Sequence, residues 1–202
     1  MDARQYAPAT QRNREPILAI LSQVLLPGSN ILEVASGTGE HAVYFASELE
    51  SCRWIPSDTN LASLESILAW KNANLVKNLD LPLLIDVTQN NWQQQVADRN
   101  INVIVNINMI HISPWLACLG LMEGAGRILP PGGLLYLYGP YKRNGEHTAP
   151  SNASFDRSLR DRNSLWGVRD LEAVIEAAAA QNLRLQQVID LPANNLSVIF
   201  SR

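Results

Sequence analysis

Charge is scarce in this chain: only 17% of its 202 residues are Asp, Glu, Lys or Arg, and the net charge is −3. The basic residues nowhere gather into a run. The dense cationic face that a nucleic-acid backbone demands is missing, so a polyanionic partner is disfavoured. Cysteine is scarcer still. Cys52 and Cys118 are the only two, both inside apolar stretches, without Cys-x-x-Cys or Cys/His spacing. That argues against a disulfide framework or a structural zinc, and no metal is expected. No apolar run approaches the roughly 18–20 residues needed to span a bilayer, and MDARQYAPATQRNREP at the start has no apolar signal core. The chain reads as soluble and cytoplasmic, with no membrane partner. What it does have is 47% apolar residues over a length that suits one domain, 1–202, with a real core.

Apolar periodicity divides the chain into alternating elements. Asn13 to Leu26 has a helical period, with Pro16 in its first turn and Pro27-Gly28 as its stop. Ile31–Ala35 reads as a buried strand, His41–Leu49 as a helix, the residues around Trp54-Ile55-Pro56 as a strand, and Leu61–Leu75 as a helix. Pro82–Ile85 and Ile101–Ile107 are strand-like, the latter the most β-rich run present. Trp115–Leu129 follows as a helix weakened by Gly120, Gly124 and Gly126, then the strand Leu134–Tyr138 and the helix Val168–Ala180. Two last strands, Arg184–Leu191 and Leu196–Phe200, are joined by too few residues for a crossover and should form an antiparallel hairpin. The expected class is α/β: a mostly parallel sheet with a terminal antiparallel strand and helices on both faces. Residues 139–167 read as one long polar loop inserted over the functional edge.

In such a sheet, ligands bind beyond the carboxyl ends of the strands, where strand order reverses. Five segments should end there: Glu33–Gly39, Asp58, Asp86, Asn106–His111 and Tyr138–Tyr141. Gly37 and Gly39, with Thr38 between them, allow a sharp turn that a ligand can approach closely. Glu33 precedes the turn, where it can face a cationic amino-acid group. Asp58 is placed for ribose hydroxyls and Asp86 for an adenine amine. The turn alone fits a structural role equally well; successive acids at strand ends favour a nucleoside cofactor. Gly37-x-Gly39-x-x-Ala42 also meets the loose dinucleotide fingerprint, which keeps an NAD-linked oxidoreductase in view. Against NAD stand the acid before the first glycine, the second acid after the third strand, and the terminal hairpin.

The stretches ILEVASGTGEHAVYFA, WIPSD, NMIHISPW, GAGRILPPGGLLYLYGPYKRNGEHT, SNASFDRSLRDRNSLWGVRDLE and LPANNLSVIF resemble the methyltransferase-like protein twenty-six family, from about Ala7 to the C-terminus. The resemblance implies a Rossmann-like class I methyltransferase fold with seven strands, and S-adenosyl-L-methionine as cofactor. It implies cofactor roles for Glu33, Gly37, Thr38, Gly39, Asp58 and Asp86, with Asn108 and Met109 beside the methionine and sulfonium portion.

For the acceptor, a small molecule, the candidates follow from position. His111 could accept a proton from a nucleophile or could simply bond a loop carbonyl. Tyr141 could contact a cationic centre, and Tyr138 either walls a pocket or is strand core. In the polar segment, Asn152, Phe155 and Asp156 stand beside Ser151 and Arg160. Asn194 and Asn195 either overhang the same edge or serve a turn needing positive φ. Arg12 and Asn13, with Arg14, would sit in an N-terminal lid or be plain helix-start polarity. A non-catalytic scaffold on the same fold is the remaining alternative.

Overall fold

The computed structural model describes residues 2–202. The chain condenses into two compact units, one formed by the chain up to Asp86 with Gln95–Val105, the other by Val87–Gln94 with Asn106–Arg202. One seven-stranded sheet has the order β3-β2-β1-β4-β5-β10-β9. Its strands are β1 (Asn30–Val34), β2 (Arg53–Asp58), β3 (Leu83–Leu84), β4 (Val103–Ile107), β5 (Leu134–Gly139), β9 (Arg184–Leu191) and β10 (Asn195–Ser201). β1 pairs in parallel with β2, and β2 with β3, while β10 is antiparallel to both β5 and β9. Order therefore reverses between β1 and β4, the point at which open α/β sheets bind ligands. No helix among the described residues is long and apolar enough to cross a membrane.

In the first unit, α1 (Pro8–Val24), α2 (Glu40–Glu48) and α3 (Leu61–Asn74) surround β1–β3. Its core is Ile17, Leu21, Ile31, Leu32, Phe45, Trp54, Ile55 and Ile67, all fully buried. α1 begins five residues before the expected start, so Pro16 lies inside it rather than in its first turn. Pro8 occupies the first turn instead, where its missing N–H costs nothing. The buried stripe Thr10, Asn13, Ile17, Ile20 and Leu21 carries the helix through Pro16.

In the second unit, α4 (Trp115–Ile128) and α6 (Leu171–Ala179) pack together and β9 lies against α6. The three glycines expected to weaken α4 are its contact points. A Cβ on Gly120 would strike the Val87 carbonyl, on Gly124 the Trp92 ring, and on Gly126 the Gln181 carbonyl. Helix propensity is traded for close approach. Trp92 is 3% exposed and its Nε1–H bonds the Gly120 carbonyl (3.1 Å), so it has little room to yield. Gly124→Ala should destabilise the protein by about 1–3 kcal/mol through overpacking, despite Ala being the better helix former. Urea denaturation checks this; an unchanged or raised midpoint would contradict it.

The segment 139–167 departs most from expectation. It holds β6 (Tyr141–Arg143), β7 (Glu146–His147) and the thirteen-residue α5 (Pro150–Arg162), and with β8 (Arg169–Asp170) it makes a second sheet of order β7-β6-β8. Apolar periodicity missed α5 because its buried residues are Asn152, Asp156 and Leu159, two of them polar. The helix expected from Val168 starts at Leu171, since Arg169 and Asp170 pair with Tyr141 and Lys142.

Candidate functional site

In the first unit, β1 delivers the chain into Ala35-Ser36-Gly37-Thr38-Gly39, where Ala35, Gly37 and Gly39 have φ of 59°, 58° and 88°. Gly37 has no atom within 4 Å of where a Cβ would stand, so the turn faces open space there, whereas Gly39 presses against Ile67. Asp58 at the end of β2 reaches this turn. Its Oδ2 accepts from the Gly37 amide (2.9 Å) and its Oδ1 from the Asn60 amide (2.9 Å). Each carboxylate oxygen retains a second acceptor direction. The Ile85 amide donates to the Asp58 carbonyl (3.2 Å), setting half-buried Asp86 next in the chain after that contact.

Glu33 was expected to face a ligand, yet its carboxylate turns inward. Oε2 accepts from Trp54 Nε1 (3.0 Å) and Ser36 Oγ (2.9 Å), and the residue is 1% exposed. Burial lifts its pKa to about 7 against those two hydrogen bonds, with the Asp58 charge adding to the lift. An incoming cation would favour its ionised form.

The N-terminal segment is laced onto the turn and the helices after it. The Ala7 amide and Thr38 Oγ1 both donate to Glu40 Oε2, the latter at 3.1 Å. Ser66 Oγ accepts from the Gln5 amide (2.8 Å) and donates to the Thr38 carbonyl (2.7 Å), and Trp70 Nε1 donates to the Gln5 carbonyl (2.9 Å). Asn13, expected to meet a substrate, instead bonds His41 Nε2 through its Oδ1 (2.8 Å). Arg12 is exposed. Glu40 and Ser66 were missed by sequence reasoning, although an acid directly after Gly39 is a visible signal for the first.

In the second unit, the residues after β4 form a 3₁₀ turn, Met109–His111, entered through Asn108 at φ 63°. The Asn108 amide bonds the Tyr138 carbonyl (2.8 Å), and Tyr138 itself is buried on β5. Met109 was expected beside a sulfonium; the Ser113 hydroxyl donates to its carbonyl (2.7 Å) and lies 3.3 Å from its sulfur. His111 is fully buried. Its carbonyl accepts from the Gly167 amide (2.9 Å) and its Nδ1 from the Arg169 amide (3.3 Å). With Nδ1 accepting, the ring proton of the neutral imidazole belongs on Nε2. Burial, assisted by the Arg169 charge and opposed by Asp156, lowers its pKa to about 3. The expected general base is thus a neutral N–H donor. Tyr141, the other catalytic candidate, is also fully buried, and burial holds its phenol well above the usual range.

Arg169, noted in the sequence only as part of a helix start, is the organiser here. Its Nε donates to the Ile110 carbonyl (2.8 Å), and its Nη2 to the carbonyls of Ser113 (2.6 Å) and Leu165 (2.9 Å). Arg169→Ala leaves those carbonyls without their donor. A stability loss of about 2 kcal/mol is expected, with faster amide exchange at residues 111–113. Exchange unchanged there would contradict this role.

Asp156 and Asn152 of α5 also depart from their expected substrate roles. Asp156 Oδ1 accepts from the Val168 amide (2.7 Å) and Oδ2 from Arg160 Nε (3.1 Å), with Lys142 and His147 at 3.6 and 3.4 Å. Asn152 donates to the carbonyl of Asn194 (2.9 Å) and to Thr148 Oγ1 (3.1 Å). These are fastenings for the helix. Asn194 is at φ 58° and Asn195 bonds the Pro192 carbonyl (3.1 Å), so both serve the hairpin connection. Phe155 is half-buried on α5.

A family model described as "Protein of unknown function (DUF938)" matches residues 4–202. Among solved structures, the chain is similar to an O-methyltransferase family protein from Burkholderia thailandensis (12% identity, TM-score 0.80, covering 96% of this chain and 57% of that one). It is similar to an O-methyltransferase family 2 protein from Planctomyces limnophilus, solved with apigenin (18%, TM-score 0.76, 96% and 60%). It is also similar to human N-acetylserotonin methyltransferase, solved with S-adenosylmethionine (13%, TM-score 0.75, 96% and 52%). The chain spans little more than half the length of these proteins. At such identities the likeness is one of fold: a Rossmann-like methyltransferase fold.

Proposed function

The chain belongs to the DUF938 family of proteins of unknown function and has a methyltransferase fold; from that premise we propose that it is an S-adenosylmethionine-dependent methyltransferase acting on a small molecule, as its resemblance to the methyltransferase-like protein twenty-six family also implies. The observation that carries this reading is the set of carboxylates around the glycine turn. Asp58 bonds the turn directly, Glu33 lies buried beside it on Ser36, and Glu40 occupies the first turn of α2, bonded to Thr38. A dinucleotide would set its pyrophosphate on the opening amides of α2, where the Glu40 carboxylate already complements the helix dipole. A cationic nucleoside gains from the same charges.

The donor set fits S-adenosylmethionine. Asp58 has acceptor directions left for both ribose hydroxyls, open space adjoins Gly37, and Asp86 would take the adenine amine. Glu33 would provide counter-charge behind the turn. When bound, the cofactor supplies an electrophilic methyl group on a positively charged sulfur. The chain's own contribution is then chiefly positioning, which dominates an in-line displacement.

Calorimetric titration with S-adenosylmethionine, S-adenosylhomocysteine and NAD tests the reading. The first two should bind and NAD should not; binding of NAD alone would overturn it. Labelled-methyl transfer into a metabolite extract separates an enzyme from a scaffold. A protein that binds the cofactor and labels nothing would be the scaffold.

A further inference from the structure

In the second unit, β6 and β7 form a ribbon in which Lys142 stands across from His147 and Arg143 across from Glu146. Side chains alternate between faces along a strand, so Lys142 and His147 share one face while Arg143 and Glu146 share the other. Asp156 of α5 meets the first face. Its Oδ1 is taken by the Val168 amide (2.7 Å), which leaves Oδ2 for three basic side chains. Arg160 Nε lies 3.1 Å from that oxygen, His147 Nε2 3.4 Å and Lys142 Nζ 3.6 Å. An N–H···O bond spans about 2.7–3.2 Å, and one carboxylate oxygen has room for about two donors. Arg160 alone is within reach. Among the described residues, Lys142 Nζ and His147 Nε2 bond nothing, and His147 Nδ1 is buried without a partner.

The cluster therefore has more positive charge and more donors than Asp156 can absorb. Two permanent cations face one carboxylate, and the nearby Asp170 carboxylate is engaged by the Gly145 amide (2.7 Å). Residues 139–170 hold six basic and four acidic residues in a chain whose net charge is −3. The guanidinium is also held in place. At Gly167 (φ 155°) a Cβ would stand 2.8 Å from Arg160 Nη2, so a missing side chain lets Arg160 lie against the backbone. The side chains of Lys142, His147 and Arg160 are 20%, 24% and 49% exposed, so all three open to solvent. Half-buried cations without a bonded partner favour an incoming anion. We propose that Lys142 Nζ, His147 Nε2 and the terminal nitrogens of Arg160 bind the oxyanion of a small molecule, a carboxylate or a phosphate group. Such a group brings the lone pairs that these donors lack and the negative charge that Asp156 does not supply. The site goes beyond the methyltransferase reading and does not depend on it, since every group belongs to the second unit and none to the glycine turn.

The test uses the full chain with 15N-labelled histidine, titrated with sodium phosphate and with sodium acetate at fixed pH and at ionic strength held constant with chloride. The chain has three histidines, so His41 and His111 serve as internal references. A saturable shift of the His147 resonance is expected with at least one of the two anions, while the references stay still. Tighter binding of phosphate assigns the site to phosphate esters, and tighter binding of acetate to carboxylic acids. Lys142→Gln and Arg160→Gln should each weaken the anion about tenfold, the loss of one charge-assisted hydrogen bond. Arg143→Gln, on the opposite face of the ribbon, should change it by less than about twofold. No saturable shift with either anion overturns the proposal. So does an equal loss in Arg143→Gln, which would show diffuse attraction in place of a site. The titration of the parent protein decides the matter by itself should a variant fail to fold.

Discussion

Asp58→Ala is expected to weaken S-adenosylhomocysteine binding by about 100-fold or more while leaving a folded protein. The carboxylate does two things at once. Its Oδ2 holds the Gly37 amide and its Oδ1 the Asn60 amide, and the remaining acceptor directions are those assigned to the ribose hydroxyls. Hydrogen bonds to a charged group contribute about 1.5–3 kcal/mol each, and two of them convert to about two or more decades in affinity. Removing the side chain also frees Gly37, at φ 58°, from the contact that shapes the turn. Calorimetry on the variant, with circular dichroism to confirm the fold, gives the answer. Affinity within about threefold of the parent would remove Asp58 from the cofactor site and with it the main support for the proposed function.

Glu33→Gln should stabilise the unliganded protein by about 3 kcal/mol at pH 8 and give no gain at pH 4.5. The pKa of Glu33 rises on folding from 4.5 to about 7, chiefly through burial. A raised folded-state pKa contributes stability that is complete below the unfolded value. That stability is lost as pH climbs through the folded one. At about 1.4 kcal/mol per unit, the shift amounts to roughly 3 kcal/mol. Glutamine keeps an acceptor for Trp54 Nε1 and Ser36 Oγ without the charge. Urea unfolding at the two pH values measures the difference. The same variant should bind S-adenosylmethionine more weakly, because the counter-charge that the cation would draw out is gone. Equal stability changes at both pH values would assign the effect to packing instead.

These two acids also mark the boundary of what the sequence could reveal. The alternation of strands and helices and the terminal hairpin were both legible, because each rests on apolar periodicity or on connection length; the reversal of strand order between β1 and β4 was not, since periodicity carries no strand order. Asp58 was legible as a strand-end acid, and the structure brings it to the turn. Glu33 was legible as an acid in the right place but not by orientation, since it is captured by Ser36, three residues on, and by Trp54, which the pairing of β1 with β2 brings alongside. His111 was found by position and misjudged in role. The amide that fixes its tautomer comes from Arg169, fifty-eight residues away. α5 was invisible for a related reason: its buried face is built from Asn152 and Asp156, and a pattern search for apolar spacing passes over it.

That last feature bears on how such a protein can diversify. α5 is tied down by one carboxylate and one carboxamide, which grip the backbone amide of Val168 and the carbonyl of Asn194. Because those anchors are main-chain groups, the sequences around them can drift without breaking the tie. The exposed residues of α5 are free to be rewritten while the sheet keeps its own apolar core. Substitutions at those exposed positions therefore leave both ties intact, so the outer face of α5 can change while its attachment stays as it is.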